Sequence, residues 1–234
     1  MNLKNINNLN QLFFDRYSQQ KDKSEILLTN LKEPRKEYSW SEVFNFINLL
    51  SYELCKFVKK GDRCLLISEN RPEWFISDLS IMLSNSITVP AYTTYIEKDF
   101  EYIINDCNPS VIFVSDNNQF NKVKNIINNK TFIKKIFSFE KLENLNPKDY
   151  ININELIPKS EINNLNLKTS LGRKDVACII YTSGTQGNPK GVMLTHGGIL
   201  NNCEGAVELL NPLIKNNKTK FLTWLPLSHS YEHT

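Results

Sequence analysis

The sequence lacks the cysteine and hydrophobic patterns that mark secreted, zinc-binding or membrane-spanning chains. Its cysteines lie far apart and form no C-x-x-C pair, so neither a disulfide framework nor a zinc knuckle is predicted. They are Cys55, Cys64, Cys107, Cys178 and Cys203. No uncharged apolar stretch reaches the roughly 18 residues of a membrane span, and residues 1–20 contain no continuous apolar segment typical of an export signal. We therefore expect a cytoplasmic protein.

A strong excess of either charge is also missing. The 234 residues include 28 Lys and Arg against 25 Asp and Glu, a formal net charge of +3. Because no long basic run concentrates this charge, nucleic acid is not a predicted partner. The chain is 41% hydrophobic and 23% charged, which is typical of a globular protein with material for one large core or two small ones.

Helical periodicity begins early in the chain. Apolar residues at near-helical spacing from Leu9 to Tyr17 predict an amphipathic segment, and 26–29 has the pattern of a short strand. Ser39 and Glu42 have the spacing of a capping box and predict a helix start. Apolar positions then recur every three or four residues as far as Phe57, and we expect that helix to end at residues 59–61.

Beyond Asp62 short apolar strands alternate with helices. The predicted strands lie at 64–68, 87–90 and 111–115, and they are apolar throughout. This pattern predicts an α/β fold with parallel sheets covered by helices on both faces. We expect three parts: an N-terminal segment at 1–37, a first α/β subdomain at 38–165, and the incomplete start of a second α/β subdomain at 166–234.

The most informative stretch is DVACIIYTSGTQGNPKGVMLT at 175–195. It predicts a strand, a glycine-rich loop and a second strand. Glycines at 184, 187 and 191 allow positive φ and a close approach of backbone amides to an anion, and Lys190 adds a positive charge. Three hydroxyl groups add donors, those of Thr182, Ser183 and Thr185. We interpret the segment as a phosphate-binding loop.

This loop is not a Walker loop. That motif places its lysine at the start of a helix and follows it with Ser or Thr, whereas Gly191 follows Lys190 and a strand-like segment comes next. A simple surface turn is the alternative interpretation of a short Thr-Ser-Gly match, but ten consecutive residues of this kind are far more specific.

Three segments together resemble the adenylate-forming superfamily, which comprises acyl-CoA synthetases, adenylation domains and luciferases. YTSGTQGNPKGVMLTH at 181–196 resembles its phosphate-binding signature. LTWLPLSHSYEHT at 222–234 resembles the next motif in the long-chain acyl-CoA synthetase branch, and 61–95 resembles the N-terminal region. The resemblance covers most of the chain from about Tyr38. Gln186 stands where members usually carry Thr, but it keeps a donor and an acceptor, so we expect phosphate contact to persist.

The resemblance implies an ATP-dependent ligase for long-chain fatty acids. A carboxylate would attack the α-phosphate of ATP and expel pyrophosphate, and coenzyme A would then displace AMP. The residues implied to hold the nucleotide are Thr182, Ser183, Gly184, Thr185, Gln186, Gly187 and Lys190. Mg²⁺ would assist, and the family position that matches Thr182 can share in its site.

Two residues are implied to be catalytic, Lys190 and His229. His229 matches the family position whose ring lies beside the substrate carboxylate and the α-phosphate, where an imidazole can orient the carboxylate. Outside such a motif a lone histidine is more often structural, and capping or packing is the role expected of His196, which begins the next helix. For Trp224 and Tyr231 core packing is the commoner role, with an acyl tunnel as the alternative.

The sequence stops at Thr234, directly after the second motif, whereas family members continue much further. We therefore expect the N-terminal part of a ligase, with apolar sheet surface left exposed. Two other functions stay open, a nucleotide-binding or interaction fragment without catalysis and the adenylation of amino or aryl acids. Oligomeric state and acyl chain length are not determined. Peripheral membrane contact also stays open, although no amphipathic basic helix requires it.

Overall fold

The N-terminal part of the fold is a small helical and antiparallel unit. The computed structural model describes residues 3–128, 130–143, 145–156, 169–182, 189–210 and 220–229. A 3₁₀ turn at Leu3–Asn5 precedes helix α1 (Leu9–Gln19), which the Asn8 side chain caps by accepting a hydrogen bond from the Gln11 amide. Strands β1 (Ile26–Thr29) and β2 (Glu37–Ser39) pair antiparallel. The strand predicted at 26–29 is confirmed.

Helix α2 (Trp40–Leu54) begins at the predicted capping box. The Ser39 hydroxyl accepts from the Glu42 amide at 3.3 Å, and the Glu42 carboxylate accepts from the Ser39 amide at 2.7 Å. The helix is shorter than predicted. It ends at Leu54, whose carbonyl accepts from the amides of Phe57 and Val58 in the turn that follows. Phe57 therefore packs on the core from a non-helical turn. The spacing of apolar residues does not distinguish this turn from a continuation of the helix.

The main sheet has seven strands in the order β7-β6-β5-β3-β4-β8-β9. Every neighbouring pair is parallel except β8 and β9. The predicted parallel α/β fold is confirmed. The strands are β3 (Arg63–Ile67), β4 (Ile87–Ala91), β5 (Val111–Val114), β6 (Lys135–Ser138), β7 (Tyr150–Asn152), β8 (Val176–Thr182) and β9 (Lys190–Thr195). The helices between and after them are α3 (Pro72–Leu83), α4 (Glu97–Cys107), α5 (Asn117–Ile127) and α6 (His196–Leu210).

Both faces of the central strands are covered by helices. Successive residues of β3 alternate between two apolar clusters, because side chains along a strand point to opposite faces. Cys64 and Leu66 pack with α2 and α3, while Leu65 and Ile67 pack with α4 and α5. Each of these four side chains is buried. The unbroken apolar character of the strand is thus explained by burial on both sides.

The N-terminal segment is hydrogen-bonded to the residues that precede β8. The Asn8 side-chain amide donates to the Leu171 carbonyl at 2.8 Å. The guanidinium of Arg173 donates to the carbonyls of Leu3 and Ile6 at 3.1 and 2.8 Å. The expected subdomain boundary at 165/166 falls within residues 157–168, which lie outside the described residues, and it stays a prediction. In the sheet itself β8 is a direct neighbour of β4.

None of the helices in the described ranges is both long enough and apolar enough to cross a lipid bilayer.

Candidate functional site

The carboxyl ends of three parallel strands form the edge at which the predicted motifs meet. Ile67 of β3 and Ala91 of β4 are Cα partners, and β8 pairs parallel with β4 through Thr88 and Cys178. The chain therefore leaves β3, β4 and β8 on the same edge of the sheet. Open α/β sheets bind their ligands outside this edge.

The β8–β9 hairpin brings together the two ends of the predicted phosphate loop. Thr182, the last residue of β8, and Lys190, the first of β9, are Cα partners, and both are exposed. The hydroxyl and the ammonium group thus flank the mouth of the loop. Five other predicted nucleotide-binding residues lie outside the described residues: Ser183, Gly184, Thr185, Gln186 and Gly187.

Tyr181 anchors the root of this hairpin to the rest of the sheet. Its hydroxyl donates to the Asp106 carboxylate of α4 at 2.5 Å, and its carbonyl accepts from the Tyr95 hydroxyl at 3.4 Å. Burial and the bond to Asp106 raise the pKa of Tyr181, so its hydroxyl stays a donor. Gly191 lies opposite Tyr181, and a Cβ at that position would approach the tyrosine ring to 3.2 Å and Ile179 to 2.9 Å. Gly191 is therefore required for the ring to lie against β9.

His229 lies in a turn that docks beside the end of β3. Its amide donates to the Pro226 carbonyl at 2.8 Å, which closes the turn, and the residue is exposed. The Asn70 side chain, three residues beyond β3, holds the start of that turn by two hydrogen bonds. Its amide group donates to the Leu225 carbonyl at 2.6 Å, and its oxygen accepts from the Leu227 amide at 2.8 Å.

This docking places the second motif at the same edge as the first. Strands β3 and β8 are separated by β4 alone, so their ends lie about 10 Å apart across the sheet. His229 and the two ends of the predicted loop, Thr182 and Lys190, therefore lie at the same edge of the sheet. Sequence reasoning missed Asn70. The signal was present, because ENRPEW at 69–74 lies in the stretch that resembles the family and begins directly after an apolar strand.

A buried ion-pair network supports the loop that carries Asn70. The Glu73 carboxylate is fully buried and accepts from the Arg71 guanidinium at 3.0 and 3.3 Å and from the Lys36 ammonium at 2.7 Å. Burial raises the pKa of Glu73, but Arg71 and Lys36 outweigh this effect and hold it at about 2. Arg71 also pairs with Glu140 at 3.1 Å. Glu73 was also missed, because its partner Lys36 is distant in sequence and is brought near only by the fold.

The other singled-out aromatic and histidine residues lie elsewhere or outside the described residues. His196 is fully buried, and its Nδ1 accepts from the Leu9 amide at 3.4 Å, which confirms a packing role. Trp224 is 75% exposed, so it is not a core residue in this structure. Tyr231 lies outside the described residues.

The described residues do not by themselves form a magnesium site. Mg²⁺ in nucleotide enzymes is usually bound by one or two carboxylates together with substrate phosphates. Within the described ranges no group of three or more His, Cys, Asp or Glu residues could hold a metal ion. Thr182 offers only one hydroxyl oxygen, and its role as a metal ligand stays a prediction.

Comparisons with known proteins show what the chain is similar to. Residues 13–234 match the family of AMP-binding enzymes. Fatty acyl-CoA synthetase A of Dictyostelium discoideum is 32% identical over 185 residues, which cover 75% of this chain and 26% of that protein. Long chain acyl-CoA synthetase 3 of Arabidopsis thaliana is 30% identical over 209 residues, with coverages of 84% and 31%. The chain thus spans between a quarter and a third of the length of these relatives.

A solved structure shows the same fold. A candidate long-chain-fatty-acid CoA ligase from Rhodopseudomonas palustris superposes with a TM-score of 0.78 at 16% identity, and the match covers 97% of this chain and 53% of that one. At this level of identity the match establishes the architecture.

Proposed function

The chain belongs to the family of AMP-binding enzymes, and from this we propose that it supplies the phosphate-binding part of an ATP-dependent ligase joining a long-chain fatty acid to coenzyme A. The curated relatives are named for fatty or long-chain acyl-CoA synthesis. Because the chain covers less than a third of their length, the activity is proposed for the native polypeptide that carries this sequence.

The observation that carries the proposal is the meeting of two motifs at one edge of the sheet. Thr182 and Lys190 flank the phosphate loop at the end of β8, and the turn containing His229 docks on Asn70 beside the end of β3. A carboxylate and a triphosphate repel each other, so their reaction requires donors and cations that are already in place. This edge supplies both kinds of group.

In the first step the fatty acid carboxylate attacks the α-phosphorus of ATP. An oxygen–phosphorus bond forms, the bond to the β-phosphate breaks, and pyrophosphate leaves. Lys190 would stabilise the phosphate charge as a point cation, and His229 would donate to the carboxylate and hold it in line for attack. In the second step the thiolate of coenzyme A attacks the acyl carbon and forms a carbon–sulfur bond, the bond between that carbon and the phosphate-linked oxygen breaks, and AMP leaves with this oxygen.

Mg²⁺ is the ion usually bound with the phosphates in such ligases and would supply further charge neutralisation. Among the residues described, only Thr182 is a candidate ligand.

Isotope exchange between pyrophosphate and ATP tests the proposal in the native polypeptide. We expect exchange that depends on a long-chain fatty acid, and Lys190→Ala or His229→Ala should each lower it by roughly 10² or more, as loss of a preorganised donor does. Lys98→Ala, an exposed lysine on α4, is the matched control and should leave exchange unchanged. Undiminished exchange in both site variants would contradict the site assignment.

The same assay separates the alternatives. Exchange driven by amino or aryl acids and not by fatty acids would indicate an adenylating enzyme of another acid class. Nucleotide binding without any acid-dependent exchange would indicate a binding or interaction fragment.

A further inference from the structure

Asn70 joins the loop after β3 to the second motif across 155 residues of sequence. Its carboxamide binds both sides of Pro226, with the nitrogen donating to the Leu225 carbonyl and the oxygen accepting from the Leu227 amide. This pairing uses one donor and one acceptor in a fixed planar arrangement. It therefore sets the register and the orientation of the turn, which a single hydrogen bond would not.

The loop on which Asn70 sits is held on both sides. The preceding carboxylate, Glu69, accepts from the Gln119 side chain of α5 at 2.8 Å. The following residue, Arg71, is fixed by Glu73 at the start of α3 and lies over the Phe139 ring at 5.5 Å. Asn70 is thus presented from a rigid element, although its own side chain is exposed.

The turn transmits this placement directly to His229. The Pro226 carbonyl, which lies between the two groups bound by Asn70, accepts from the His229 amide at 2.8 Å. Within the turn Leu227 packs against the larger apolar cluster, and Ser228 is 4% exposed. The backbone of His229 is therefore tied to the loop after β3 by the two bonds of Asn70 and the bond that closes the turn.

We propose that Asn70 is a positioning residue for His229. This inference rests on the proposed function, in which His229 orients the substrate carboxylate. Asn70 acts through the turn and does not touch the substrate. Because a displacement of about 1 Å at a reacting group can cost 10²-fold in rate, loss of the two bonds should lower the rate of adenylation while leaving nucleotide affinity largely intact.

The chain contains a matched control, Asn117 at the start of α5. Its side chain makes the same pair of bonds to a different loop, donating to the Lys141 carbonyl at 3.3 Å and accepting from the Glu143 amide at 2.8 Å. Asn70→Ala and Asn117→Ala remove equivalent interactions. In the fatty-acid-dependent exchange assay we expect kcat to fall roughly 10-fold to 10²-fold in N70A, with KM for ATP within about twofold, and no change in N117A.

A double-mutant cycle tests whether Asn70 acts through His229. In a His229→Ala background, Asn70→Ala should have little further effect, because the ring that it positions is gone. Additive losses would overturn the proposal, as would equal activities of N70A and N117A. Asn70→Asp, which keeps the acceptor for Leu227 and loses the donor to Leu225, should give an intermediate loss and serves if N70A does not fold.

A second measurement is independent of activity. The proton and carbon signals of the His229 ring, assigned by their absence in H229A, should shift in N70A and stay in place in N117A. If the native protein lacks fatty-acid-dependent exchange, the proposed function fails while this spectrum still decides the structural inference. Ring signals that are identical in N70A and the native protein would overturn it.

Discussion

The centre of the sheet and its β8–β9 edge are held in place in different ways. Every residue of β5 is buried, and it packs between helices on two faces. In β9 the first four residues are exposed, and they include Val192 and Met193, which are 44% and 66% exposed. In the hairpin that carries the predicted phosphate loop, β8 is thus packed into the sheet, and β9 is exposed over the four residues next to the loop.

The difference teaches that the most buried core and the predicted phosphate loop lie in separate parts of this fold. Regions with few buried apolar contacts open at lower free energy than the core, and binding loops are drawn from such regions. Exposed apolar residues also occur along α6 and at the start of the described segment 220–229. They include Val207, Leu209, Leu210, Phe221 and Leu222.

The largest expected effect is a loss of stability at the centre of the sheet. Phe113 on β5 is fully buried, and its ring stacks on Phe137 at 4.9 Å. Phe113→Ala should lower the free energy of unfolding by about 3–5 kcal/mol, because it removes buried area and leaves a cavity. Met193→Ala on β9 should change it by less than about 0.5 kcal/mol. Urea denaturation measures the free energy of unfolding of both variants. Similar losses in the two would contradict the difference between the centre of the sheet and β9.

A second effect concerns the buried carboxylate beneath the Asn70 loop. Glu73→Gln removes the charge that Arg71 and Lys36 share, and it should cost about 3 kcal/mol because Lys36 loses its ion pair and Arg71 is left with the exposed Glu140. The native protein should also lose stability as the pH falls from about 5 to 2. In that range an unfolded Glu binds a proton while the folded Glu73, with its pKa at about 2, does not.

Denaturation curves between pH 5 and pH 2 check this prediction. The stability of E73Q should fall less steeply between pH 5 and pH 2 than that of the native protein, because the variant lacks the Glu73 carboxylate. An identical slope of stability against pH in the two proteins would show that Glu73 is not a source of acid sensitivity.

Acid sensitivity in a milder range should come from the hairpin side of the molecule. Burial lowers the pKa of His196 to about 4, although Asp78 and Asp175 oppose this. Between pH 6.5 and 4 the unfolded histidine binds a proton and the folded one does not, so stability falls as the pH falls. We expect a loss on the order of 2 kcal/mol at pH 5.

His196→Gln should remove this dependence, and thermal melting from pH 7 to pH 5 measures it. The two pH ranges report on different parts of the molecule, because Glu73 lies at the start of α3 and His196 at the start of α6. A native protein with constant stability between pH 7 and pH 5 would contradict the prediction.

The smallest expected effect is at the root of the phosphate loop. Tyr181→Phe removes the hydrogen bond to Asp106 and should cost on the order of 1 kcal/mol of stability. Calorimetric titration of the native polypeptide should show ATP affinity reduced a few-fold, because Thr182 and the loop follow directly. Tyr52→Phe, an exposed tyrosine on α2, is the control. Unchanged ATP affinity in Y181F would show that this anchor does not position the loop.

Local patterns in the sequence predicted most of the elements and much of the candidate site. The capping box at Ser39 and Glu42, the apolar strands and the start of α6 are confirmed, since caps and periodicity act within a few residues. The two strands around the predicted loop were also predicted, and the structure pairs them antiparallel with Thr182 opposite Lys190. The length of α2 was wrong, because a turn after Leu54 preserves the apolar spacing that a helix would have.

The amino-acid sequence by itself determined the α/β class, the alternation of strands and helices between 62 and 115 and the two motifs that indicate an AMP-binding enzyme, because each depends on neighbouring residues. Only the tertiary structure decided which distant residues support those motifs. Asn70 meets the turn of His229, Asp106 meets Tyr181, and Glu73 meets Lys36 because the strand order and the packing of the helices bring these distant residues together. Such contacts leave no periodic signal in the chain, since each depends on the packing of whole elements.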